Sequence, residues 1–127
     1  MEESKMKQDN VHRVKEWEKG ELKFHIIYRT WNENVLAITP QLHPYHCGYV
    51  TFLHCPAPYE GYGGVLEEVD VHGGITYAEK KPDGSYTYGF DCAHWNDENR
   101  PLLQDIDWLT QECERMAAQI ITLCKAW

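Results

Sequence analysis

Two short stretches concentrate the side chains able to do chemistry: Asp70-Val71-His72-Gly73-Gly74-Ile75-Thr76-Tyr77 and Gly89-Phe90-Asp91-Cys92-Ala93-His94-Trp95-Asn96-Asp97. Imidazole beside carboxylate is a general acid/base unit, and the same groups are ligand types for Zn²⁺, Mn²⁺ or Fe²⁺. Asp70, His72, Asp91 and His94 would therefore form the centre of a small metal-dependent or acid/base hydrolase. The same segments also suit a ligand-binding pocket made by His72, Gly73, Gly74, Asp91, His94, Trp95 and Asp97, with Tyr62 at its rim and the glycines admitting a ligand to the backbone. A purely structural role is the competing interpretation, with His72 hydrogen-bonded to Asp91 to close two strand ends. Neither H-x-x-x-H nor C-x-x-C spacing occurs, so no metal site and no cofactor is expected, and a divalent ion ranks behind both a pocket and a lock.

The elements that position these residues follow from periodicity. Lys80-Lys81-Pro82-Asp83-Gly84 lies between residues 75–79 and 85–90, both of strand composition, and Pro-Asp-Gly in that setting is a hairpin turn. Pairing the two segments brings residues 72–74 beside residues 91–94. On the second strand Tyr86, Tyr88, Phe90 and Cys92 share one side and Asp91 the other, so Asp91 faces the site while Cys92 continues a core row. Alternation over residues 65–71 predicts a strand with Asp70 and His72 on one face. Residues 22–29 and 48–53 have strand composition, and residues 35–38 form a short apolar run expected to be the second strand of a hairpin.

From Asp105 or Asp107 to about Lys125 the pattern is helical. Ile106, Leu109, Cys113, Met116, Ala117, Ile120 and Cys124 make an apolar stripe, with Gln111, Glu112, Glu114, Arg115 and Gln119 on the remaining surface. The expected fold class is α+β: a small, mainly antiparallel sheet packed by one C-terminal amphipathic helix. Residues 1–12 are expected to be a disordered N-terminal segment and residues 13–127 a single domain.

Bulk properties set the environment. The 127 residues are 43% hydrophobic, enough for one core, and the net charge of −8 argues against direct nucleic-acid binding, which relies on Lys and Arg. An acidic surface instead suits small ligands or a basic protein partner. No run approaches the roughly 20 apolar residues of a membrane helix and no signal-peptide core is present, so a cytoplasmic location is expected. The five cysteines are odd in number and scattered, which fits reduced thiols. His43, His46, Cys47, His54 and Cys55 invite a zinc reading, but Cys47 and Cys55 would stand about 25 Å apart on an extended segment. A nucleophilic role for Cys92 lacks the basic surroundings that lower a thiol pKa. Tyr59, Tyr62 and Trp95 are aromatics placed to stack on a ligand or partner rather than to fill a core. Trp127 and the apolar helix make a homodimer conceivable.

Four blocks in order carry a more specific signal: Cys47-Gly48-Tyr49-Val50, the residues from Asp70 to Tyr77, Gly89-Phe90-Asp91-Cys92-Ala93-His94 with Asp97, and Glu112-Cys113-Glu114-Arg115. Together they resemble a family of small uncharacterised proteins encoded by tailed phages and prophages, from about Phe24 to Ile120. Where that family has a Gly-His-Pro segment, this chain has Leu53-His54-Cys55-Pro56. The resemblance implies a phage-encoded protein in a bacterial cell and no established activity. Small acidic proteins of that setting serve host takeover or counter-defence, so the expected partner is a host protein or a small signalling nucleotide.

Overall fold

A computed structural model of the chain describes residues 10–54, 64–94 and 96–125. Five strands form one antiparallel sheet in the order β1-β2-β3-β5-β4: β1 is Val11–Lys19, β2 Leu22–Arg29, β3 Tyr45–Phe52, β4 Tyr77–Lys80 and β5 Tyr86–Asp91. A two-residue turn with Gly20 in the left-handed region joins β1 to β2, and Lys19 pairs with Leu22. β1 takes in Val11 and His12, which composition places in the N-terminal segment.

Alternation along the strands sorts the sheet into two faces. Phe24 and Ile26 of β2, Val50 and Phe52 of β3, and Tyr88 and Phe90 of β5 point to one side, all buried. Across this side lies α2, Ile106–Lys125. Its stripe of Leu109, Cys113, Met116, Ala117 and Ile120 is almost wholly buried, and each large side chain so removed from water contributes about 1.5–3 kcal/mol. Asp105 caps the helix, its Oδ1 accepting from the amides of Asp107 at 2.9 Å and Trp108 at 3.2 Å. Helix and sheet approach closely at Gly48, where a Cβ would stand 2.5 Å from Cys113 Sγ and 2.6 Å from the Phe90 ring. The expected α+β architecture, a small antiparallel sheet under one C-terminal helix, is the one observed.

Three local expectations are corrected. Residues 35–38 are not a strand but belong to α1, Glu33–Ile38, because the Asn32 side chain accepts from Val35 N at 2.9 Å and starts a helical turn. Residues 65–71 do not alternate as a strand: Gly64–Glu68 is a 3-10 helix, and Leu66, Val69 and Val71 are the residues that enter the core. Glu112, expected on the helix surface, is 6% exposed because residues 70–72 lie over it.

Candidate functional site

The hairpin is formed as its turn chemistry dictates, with Tyr77 opposite Gly89 and Lys80 opposite Tyr86. Asp83 Oδ1 accepts from both the amide and the hydroxyl of Ser85, and Gly84 takes φ +90°. Beyond the paired residues the two chemistry-bearing segments meet. The His72 and His94 rings stand edge to face with centroids 5.7 Å apart. Gly73, at φ +69°, has no side chain because His94 fills that space: a Cβ there would lie 2.0 Å from His94 Nε2. Gly74 N–H closes the turn onto Val71 O at 2.8 Å.

Asp97 is the hub of this cluster. It is 4% exposed, and its Oδ2 lies 2.8 Å from His72 Nε2 while accepting from His94 N at 3.0 Å. The expected His72–Asp91 hydrogen bond is thus replaced by a His72–Asp97 bond. Asp91 Oδ1 accepts from Ala93 N at 3.0 Å and stands 3.3 Å from His94 Nε2. That approach is close enough for an ion pair but off-line, so Nε2, shielded by Gly73, makes no hydrogen bond among the described residues. Asp91 and Cys92 point to opposite sides, with Cys92 in the core.

Asp70 does not join them. Its carboxylate is exposed and pairs with Arg115 at 3.3 Å, while its backbone is held at both N–H and C=O by the Gln119 amide. The strand alternation that would align it with His72 is absent, so the expected Asp70, His72, Asp91, His94 centre is reduced to two His–carboxylate pairs. His72 N–H donates to Glu112 Oε2 at 2.9 Å, which fastens the segment to α2. Tyr62 and Trp95 lie outside the described residues, as do Tyr59 and Cys55.

A cleft of about 460 Å³ opens beside His94. His94, Asn96, Asp97 and Glu98 form one wall, and the segment from Gln41 to Tyr45, with Trp31, forms the other. Trp31 and Tyr45 are tilted rings 6.4 Å apart, and the Trp31 indole donates to His43 O at 3.0 Å. Arg29 stacks on Trp31 at 4.5 Å. No Lys or Arg lines the cleft among the described residues. Nothing in sequence places Trp31, His43 and Tyr45 beside His94, because they reach it only through the pairing of β3 with β5, in which Cys47 lies opposite Asp91.

Among the described residues the Cys47, Cys92 and Cys113 thiols are chemically quiet. Burial pushes Cys47 up to about 11 and Cys113 up to about 12, and burial reinforced by the Asp97 charge raises Cys92 further. His46 and Cys47 point to opposite faces of β3, which separates the members of the second His/Cys cluster. Among the described residues no group of three or more His, Cys, Asp or Glu side chains is disposed to hold a metal ion, and no helix is long and apolar enough to cross a membrane.

No protein-family model matches the chain, and no curated protein or solved structure matches it significantly.

Proposed function

We propose that this chain is a phage-encoded accessory protein that acts by binding a host protein, with the His94 cleft as the pocket that receives a basic side chain of the partner. The observation that carries this reading is the composition of the cleft: the Trp31 and Tyr45 rings and the exposed Glu98 carboxylate line it, and no lysine or arginine does so among the described residues. Rings and carboxylates together suit a guanidinium or ammonium group. A chain of net charge −8 also attracts basic partners at long range. A nucleotide fits this cleft poorly, since its phosphates would meet carboxylates without a cation.

The hydrolase alternative is weaker. Asp97 is spent on the His72 ring and the His94 amide, Asp91 on the Ala93 amide, and Asp70 on Arg115. The carboxylates hold the loops together, and the cleft beside them is left for recognition. Calorimetric titration with a triarginine peptide tests the proposal. Wild type should bind, more weakly as salt rises, and Trp31→Ala and Glu98→Gln should each lower affinity about tenfold. Equal affinity in all three proteins would remove the cleft from the account.

A further inference from the structure

The sheet ends on two edges, and they are not alike. β1 is guarded: a bulge falls between Arg13 and Lys15, and five of its nine residues, Arg13, Lys15, Glu16, Glu18 and Lys19, are charged. β4 has no bulge, and its register with β5 runs unbroken from Tyr77 opposite Gly89 to Lys80 opposite Tyr86. No strand lies on its outer side among the described residues. An edge of this kind is a template for another strand.

The turn that closes the hairpin shows which backbone groups the template offers. Lys81 N–H donates to Ser85 O at 2.7 Å, so Lys81 occupies a hydrogen-bonded position of the ladder. Antiparallel ladders alternate, which directs the N–H and C=O of Tyr77 and Glu79 to β5 and turns those of Ala78 and Lys80 outward. The side chains alternate between faces. Ala78 packs against the core on the α2 side, whereas Tyr77 lies on the other face, where it and Lys81 help to line a groove of about 890 Å³. The Tyr77 hydroxyl donates to Glu79 Oε2 at 2.6 Å.

We propose that β4 is the pairing edge for a second copy of this chain, the two β4 strands running antiparallel about a two-fold axis at Ala78. Only two registers keep both outward-facing residues opposite the partner's β4 or the residue next to it. An axis at Glu79 sets that carboxylate directly against the partner's Glu79, a repulsive pair. An axis at Ala78 sets Ala78 against the partner's Ala78, Tyr77 against the partner's Glu79 and Lys80 against the partner's Thr76, so that no like charges are opposed. Ala78 then exchanges two backbone hydrogen bonds with the partner's Ala78, and its methyl group leaves room at the axis. The hydroxyl–carboxylate contact of Tyr77 with Glu79 is available across the strands as well as along them. The two sheets become one, with both α2 helices on one side and both grooves on the other. Four-residue strands make this a weak, reversible dimer.

The test is sedimentation equilibrium of the full chain from about 10 μM to about 1 mM, with amide hydrogen exchange followed over the same range. The wild-type mass should rise from 14.9 kDa toward twice that value. The Ala78 and Lys80 amides should exchange about threefold more slowly at the higher concentration, while those of β1 keep their rates. Ala78→Pro removes an N–H that faces away from β5, so it spares the internal ladder, and this variant should remain at 14.9 kDa throughout with an unchanged urea midpoint at about 10 μM. Slowed exchange is read on the wild type alone and decides the question where Ala78→Pro lowers that midpoint. A wild type still monomeric at about 1 mM would overturn the proposal. So would a dimer whose slowed amides lie on β1, or one that survives Ala78→Pro.

Discussion

Gly73 is the residue on which the His/Asp cluster turns. Its φ of +69° is costly for any residue with a Cβ, and the space a Cβ needs is held by the His94 imidazole. Gly73→Ala should therefore destabilise the fold by about 1–2 kcal/mol and displace His94, read as a lower urea midpoint together with a shifted His94 imidazole resonance. An unchanged His94 resonance would show that the ring is not seated on this glycine. His25 makes a different demand. Its folded-state pKa is lowered to about 4, by burial first and then by Arg13 and Lys81 against the opposing charge of Glu16, whereas an unfolded histidine titrates near about 6.5. Between those values the unfolded chain takes up a proton that the folded chain refuses, so stability present above about pH 6.5 is lost as pH falls toward about 4. His46, lowered by burial, acts in the same direction. Urea midpoints measured across this range should fall less steeply for His25→Gln than for wild type. Identical slopes would mean that His25 is solvated.

At the scale of elements, the connection between the 3-10 helix and β4 is secured to α2 by side chains rather than by a sheet ladder. Gln119 bonds both backbone groups of Asp70, and Glu112 accepts from His72 N–H while holding Arg115 at 3.0 and 3.1 Å. Glu112→Ala leaves a half-buried amide unpaired and frees Arg115, at a cost of about 1–3 kcal/mol. Hydrogen exchange at the His72 amide should accelerate with it; exchange unchanged in the variant would mean that another acceptor holds this segment. This docking was illegible in sequence, since residues 65–71 alternate convincingly and only the three-dimensional position of α2 shows that Glu112 is buried. The elements with strong local codes were legible. The Pro82-Asp83-Gly84 turn, the period-two rows of β2 and β5 and the three-four stripe of α2 each have a single low-energy reading. β1 was hidden because its residues are mostly charged and exposed, so it owes its conformation to pairing with β2 rather than to an apolar face. The run at 35–38 was misread because four apolar residues do not separate strand from helix until the Asn32 cap is considered. Of the candidate site, the adjacency of His72, Gly73 and His94 followed from the hairpin. Asp97 as the shared acceptor and Trp31 as the facing wall did not, since each depends on a connection that leaves the strand register.

At the scale of the whole molecule, the described residues form a single sheet with its core on one face, a cleft at the end of β5 and a groove on the other face. The cleft presents the exposed Glu98 carboxylate with the Trp31 and Tyr45 rings, whereas the lining of the groove mixes Arg13, Lys23 and Lys81 with Glu16 and Glu18. Binding at the cleft is therefore expected to select cations. Amide chemical-shift mapping of the isotope-labelled chain during titration with triarginine tests the central claim most directly. The expected result is a saturable set of shifts confined to residues 41–45 and 92–98 with the Trp31 indole. Shifts scattered over the acidic surface without saturation, or confined to β2 and β4, would contradict a binding function for the His94 cleft.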